Sequence, residues 1–354
     1  MTTLQKALDI DIRFPVVQAP MAGVQDSLLA IAVANAGGLG SLPCAMLGPE
    51  QIREELLAIT QQTAHPFNVN FFCHEPPTID PAKEAAWRAL LAPYYAEFGL
   101  DIRSINSGPG RAPFNEQHTE VLEEFKPAVV SFHFGLPNAS LLAKVKSWGS
   151  RVLSTATTAD EAIWLQAQGV DAIIAQGVEA GGHRGIFLSN DLAGQLSTFD
   201  LLEKMFGSVS VPVIAAGGIA TAKTVAAAMA AGAAGVQVGT SYLHCPEATT
   251  SDLHRAALAR ATAADTVLTN LFTGRPARAI RNRLIEELGA IREGMPDFPL
   301  TATAIAPLRS FAQKQGLDDF SSLWSGTDTS GCRPIPAAEI TRELALPFSG
   351  NLQK

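Results

Sequence analysis

Eight short apolar runs, each bounded by Gly, Pro or Asn, recur along this chain with helix-patterned stretches between them. They are PVVQAP (15–20), GLGSLP (38–43), FNVNFF (67–72), AVVSFH (128–133), RVLSTA (151–156), DAIIAQ (171–176), PVIAAG (212–217) and GVQVGT (235–240). Several are apolar on both faces, as parallel strands buried between a core and covering helices must be. Parallel neighbours need crossover connections, and residues 26–36, 48–62, 138–148, 159–168 and 221–231 supply them as helices. Asp26 is a natural cap for the first of these, and Gly37-Gly38 its stop. Alternation sustained over eight units predicts an α/β fold, a (β/α)8 TIM barrel rather than an open doubly wound sheet.

The chain has 354 residues, and a minimal barrel needs about 250. The surplus falls in two places. Residues 73–126 form an insertion containing AKEAAWRALLAPYYAEF. Residues 264–354 contain PARAIRNRLIEEL and ATAIAPLRSFAQKQG, both of helical period. The expected organisation is a barrel over 1–263 with its insertion, then a mostly helical extension over 264–354 covering the substrate site. Within TGRPARAIRNR, Arg278 and Arg281 stand a helical turn apart. Either could lean towards the pocket or an interface, and a solvated helix face explains them equally; with Arg275 and Arg283 they are left out of the site.

Composition narrows the function. With 47% hydrophobic and 17% charged residues the chain is an ordinary globular protein. A net charge of −8 argues against a nucleic-acid partner, yet a local cluster of donors can still hold a small anion. The opening segment lacks a basic stretch followed by an apolar core, so no secretory leader is expected. The longest apolar stretch, 225–236, is too short for a membrane span. Cys44, Cys73, Cys245 and Cys332 are scattered without a CxxC pair, which suits reduced thiols in the cytoplasm and no metal site.

In a parallel barrel, function collects on the loops after the strands. Gly217-Gly218 precede a helix starting near Thr221, and Gly239-Thr240 follow the eighth strand. Bare backbone N–H groups there predict a phosphate site. A phosphorylated sugar, a nucleotide monophosphate or FMN would satisfy it. QAPMAG presents an apolar turn at Pro20 and Met21, able to pack on a flat ring. Asn70 and Gln176, at the tips of the third and sixth strands, offer amides that both donate and accept, which favours a flavin.

QAPMAG, FNVNFF, SFHFG, QGVEAGGHRG, VIAAGGI, GVQVGT and TGRPARAIRNR, in that order, resemble the nitronate monooxygenases. SFHFG tilts the likeness towards their class I. The resemblance implies an FMN-containing barrel that oxidises alkyl nitronates with O2, propionate 3-nitronate being the usual substrate, in a detoxifying role. It implies flavin contacts at Asn70, Gln176, Gly181, Gly218, Gln237, Val238, Gly239 and Thr240, with Pro20 and Met21 facing the ring. His183 is implied as the active-site histidine and His133 as a second one near the substrate. Class members line the substrate pocket with tyrosines, whereas this chain has only Tyr94, Tyr95 and Tyr242. The resemblance leaves the oligomeric state, monomer or homodimer, open.

The glycines around His183 clear space for ring and substrate. A neutral imidazole could donate to a nitronate oxygen, or take the α-proton of a neutral nitroalkane. Cys73 and His74, at the third strand's tip, are further candidates to face the pocket. The alternative is an FMN-dependent NAD(P)H:quinone or enoyl-thioester reductase on the same scaffold. An inosinate-type dehydrogenase would need a cysteine where EAGGHRG stands, and a serine hydrolase a GxSxG elbow that is absent.

Overall fold

The computed structural model describes residues 3–105 and 111–351. All eight expected strands form: β1 (Val16–Gln18), β2 (Gly40–Pro43), β3 (Phe67–Phe72), β4 (Val129–His133), β5 (Arg151–Ala156), β6 (Ala172–Gln176), β7 (Val213–Ala216) and β8 (Gly235–Val238). Every pairing between them is parallel, in the order β1-β8-β7-β6-β5-β4-β3-β2. The cylinder closes where Val17 bridges Leu39, with Leu39 N–H donating to Val16 and Gln18 N–H to Leu39, both at 2.9 Å. It is a TIM barrel.

Strand alternation sorts the side chains. On β3, Val69 and Phe71 join the core shared with the covering helices, while Asn70 and Phe72 point into the barrel's upper cavity. Lower down, Val17, Leu39, Val129, Leu153, Ile174 and Ile214 fill the interior. The helix Thr3–Leu8 plugs that end with Leu4 and Leu8, both fully buried and each worth about 2 kcal/mol. The helix Ser27–Ala36 is capped by Asp26, whose carboxylate accepts from Leu28 N–H at 2.9 Å. It lies so close to β2 that a Cβ on Gly40 would sit 2.0 Å from the Ala30 carbonyl oxygen.

PARAIRNRLIEEL does not form one helix. Ala277–Ile280 is a strand that pairs antiparallel with Thr266–Thr269 on one side and with Gly182–His183 on the other. The helix begins only at Arg283, after an Asn282 cap. Ala277 and Ala279 are both fully buried, a two-residue period that only a strand satisfies here. Arg278 therefore leaves no solvated helix face: its guanidinium donates to the Val178 carbonyl at 2.7 Å and to the Thr266 hydroxyl at 3.1 Å.

The insertion helix Pro81–Glu97 and the helix Thr301–Lys314 share a second core of Trp87, Leu91, Tyr95, Leu308 and Phe320. Trp87 Nε1 donates to the Thr301 carbonyl and the Tyr95 hydroxyl to that of Ala304, at 3.1 and 2.6 Å. Arg283 ties the same two regions together through both carboxylate oxygens of Glu97.

The last helix, Ala337–Leu344, does not cover the mouth. It packs on the barrel wall against the helices Ser27–Ala36 and Ala222–Ala230, with Ala337, Ile340 and Leu344 in the main core. That is the place of the eighth covering helix, so residues 239–336 interrupt the eighth βα unit rather than follow it. The helix Asp252–Arg260, which comes directly after β8, instead packs with Leu243, Ile280 and Leu323.

Candidate active site

The strand tips enclose a cavity of about 1320 Å³, counted out to its open mouth. Neighbouring strands present matched residues to it. Phe72 and His133 are cross-strand partners on β3 and β4, and Gln176, Ala216 and Gln237 lie in register across β6, β7 and β8. Pro20, Met21, Asn70, Gly181, Gly218, Gly239, Thr240 and His183 line the same space. Of the residues implied as flavin contacts or active-site histidines, Val238 alone stays outside. It is 1% exposed in the main core, because alternation along β8 sends it to the face opposite Gln237.

The segment bearing His183 is held by its backbone. The His183 carbonyl accepts from Gln176 Nε2 at 2.9 Å and lies 3.2 Å from His133 Nε2, while Gln176 Oε1 accepts from Gly185 N–H at 2.8 Å. His133 Nδ1 lies 3.1 Å from the Thr155 hydroxyl. A carbonyl can only accept, so His133 carries its proton on Nε2 and accepts from Thr155 at Nδ1. Beneath this, Arg184 is fully buried and donates to the carbonyls of Gln176 and Gly177 and to Gln195 Oε1. Gly185 is obligatory for close approach, since a Cβ there would lie 2.7 Å from Thr155 and 2.9 Å from His133.

The His183 ring projects among Phe72, Phe134, Phe298 and Trp324, with ring centroids 5.3–6.1 Å away. Its Nε2 lies 2.9 Å from the Thr273 hydroxyl. Burial, reinforced by the charges of Arg111 and Arg275, holds its pKa well below the ordinary histidine value. Burial also lowers His133 to about 4. Both rings are neutral near pH 7.

Three further residues belong to this neighbourhood. His254 lines the cavity from the first turn of its helix, donates to the Trp324 carbonyl at 3.0 Å and is lowered to about 4 by burial. Trp324 and Arg111 also line it. No periodicity marks them, because each comes from a connection rather than a strand tip. His74 lies behind the wall, where its Nε2 is 2.9 Å from the Arg111 carbonyl. Cys73 packs at the edge of the main core. Among the described residues there is no cluster able to hold a metal ion, and no helix is long and apolar enough to cross a membrane.

The other half of the cavity is bare backbone. Gly217 and Gly218 adopt φ values of +115° and +64°, a region L side chains rarely enter. A Cβ on Gly181 would lie 2.5 Å from the Gly326 nitrogen. Among the described residues, none accepts from the N–H groups of Gly218, Gly239 or Thr240. Gln237 Oε1 is buried there without a hydrogen-bond partner.

The nitronate monooxygenase family profile matches residues 4–346. This chain belongs to the nitronate monooxygenase family. It is 40% identical to the nitronate monooxygenase of Pseudomonas aeruginosa, over 96% of this chain and 98% of that protein. The crystal structure of nitroalkane oxidase from Streptomyces ansochromogenes superposes with a TM-score of 0.88 at 34% identity, covering all of both chains. FabK from Thermotoga maritima superposes with a TM-score of 0.71 at 26% identity, over all of this chain and 97% of that one. The chain is thus an oxidoreductase of a family that oxidises nitronates.

Proposed function

We propose that the cavity binds FMN and that the enzyme oxidises alkyl nitronates, propionate 3-nitronate among them, with O2. The residues fit that cofactor. Gln237 Oε1 is a buried acceptor in want of a donor, such as a ring N–H. The unclaimed N–H groups of Gly218, Gly239 and Thr240 match a terminal phosphate. Pro20 and Met21 supply an apolar face, and Asn70, anchored to Ser131 through Nδ2, keeps Oδ1 available. The flavin, when bound, would take up electrons from the substrate and deliver them to O2.

The chain's own contribution centres on His183. A nitronate is already deprotonated and needs a donor at its oxygens rather than a strong base. With Thr273 accepting from Nε2–H, the imidazole presents a lone pair at Nδ1. With Thr273 donating to Nε2, it presents Nδ1–H. The hydroxyl thus supports the tautomer that binds a nitronate and the tautomer that removes a proton from a nitroalkane. The rings of Phe72, Phe298 and Trp324 keep water away and strengthen either interaction.

The neutral imidazole of His183, aimed into a cavity half built of bare backbone, carries this reading. Four free cysteines suit work in the reducing cytoplasm, with removal of toxic nitronates as the role. The test is anaerobic mixing of the purified yellow protein with propionate 3-nitronate and, separately, with NADH. Bleaching by the nitronate alone is expected. Rapid bleaching by NADH and none by nitronate would make it a flavin reductase instead.

A further inference from the structure

Arg111 is a cation with no counter-charge. It lines the cavity, yet among the described residues no carboxylate lies within ion-pairing distance. The five residues before it, NSGPG, contain no acid either. The charge that acts on it is another cation, the half-buried Arg309. An unpaired, half-buried guanidinium in a protein of net charge −8 is costly unless an anion completes it.

Its place is fixed with care. The Arg111 carbonyl accepts from Nε2 of His74, a residue only 4% exposed. The guanidinium carbon lies 6.0 Å from the Phe298 ring centroid, and that ring is 4.8 Å from His74 and 5.5 Å from His183. Arg111 and His183 are therefore neighbours of the same phenyl ring. Arg275, by contrast, is engaged: it lies 4.2 Å over the Phe134 ring and donates to the Ile186 carbonyl.

We propose that Arg111 is the specificity residue of the pocket, pairing with a second anionic group, a carboxylate, on the far end of a short nitronate whose reacting end sits at His183. This rests on the nitronate-oxidising reading above. It adds the residue that selects for the carboxylate, Arg111, by a charge pair. Guanidinium and carboxylate match in a planar, two-bond arrangement that lysine copies only in part.

The experiment compares propionate 3-nitronate with ethylnitronate, which lacks the carboxylate, on the FMN-loaded enzyme. In Arg111→Gln the ratio of kcat/KM for propionate 3-nitronate to that for ethylnitronate should fall about 30- to 100-fold, carried by KM, with Arg111→Lys recovering part of it. An unchanged ratio overturns the proposal. A second measurement needs no variant. Succinate, a dianion of the same length, should inhibit ethylnitronate oxidation by the wild type at concentrations at least about tenfold below those needed for propionate. Equal potency of the two also overturns it. Failure of the wild type to oxidise either nitronate would strike the nitronate reading instead, a distinguishable result.

Discussion

His133 grips His183 by its backbone and not by its ring: the His133 Nε2 lies 3.2 Å from the His183 carbonyl oxygen. Both ring nitrogens of His133 are thereby committed, the other to Thr155. We propose that His133 acts as a positioning residue. His133→Leu should lower kcat about tenfold or more by freeing the His183 segment, while His133→Gln, which can still donate to that carbonyl, should stay within about threefold of wild type. Steady-state kinetics on propionate 3-nitronate decide it. Equal losses in both variants would mean that His133 acts in some other way.

The His183 side chain is where proton chemistry would occur. His183→Asn should keep its flavin, seen as an unchanged visible spectrum. It should lose about 10²–10⁴-fold in turnover of neutral nitroalkanes and less with preformed nitronates. Stopped-flow reduction with nitroethane and ethylnitronate separates the two. Equal losses would remove the base role and leave only orientation.

Gly181 faces backbone, not a yielding side chain. Gly181→Ala would place a methyl 2.5 Å from the Gly326 nitrogen, so the extension must shift off the mouth. We expect about 1–3 kcal/mol of lost stability and weaker FMN retention. Thermal unfolding and dialysis measure both. Gly194→Ala, whose added methyl meets open space, should leave FMN retention intact.

Acid should unfold this enzyme through its histidines. His74, His133 and His254 are lowered from 6.5 to about 4 by burial, so they are neutral when folded and protonated more readily when unfolded. Between about pH 6.5 and 4 the unfolded chain binds more protons, and stability rises with pH there. The contribution is complete above 6.5 and lost as pH falls towards 4. Denaturant melts from pH 8 to 4.5 should show a midpoint steady above 7 and declining below, with proton uptake on unfolding. A midpoint that is flat down to pH 4.5 would refute it.

Much of this was legible in the sequence because a parallel barrel writes itself locally. Strands buried on both faces, such as Phe67–Phe72, leave continuous apolar runs, and each glycine-rich tip follows directly. What escaped depended on partners far along the chain. Gly182–His183 is too short to read as a strand until Ala277–Ile280, nearly a hundred residues later, pairs with it. That partner was misread as helix, since ARAI fits either period over four residues. Asn70 and Gln176 are legible as amides at strand tips, whereas Gln237 comes only with the family resemblance. Val238 was swept in with its neighbours, although a two-residue period turns it away. Arg111 and His254 carry no pattern at all, and only the folded geometry brings them to His183.

Because the gap between the first and seventh covering helices is filled by Ala337–Leu344, far along the chain from Ser27–Ala36, the wall stays open until that segment has been synthesised. The nascent cylinder carries an apolar flank with nothing to cover it, the state in which chains of this size aggregate. A stop codon or frameshift ahead of Ala337 would thus remove a stave of the barrel. Insertions beside this helix face the same constraint, since Thr341 must still reach the hydroxyl of Tyr242 at 2.9 Å inside the wall.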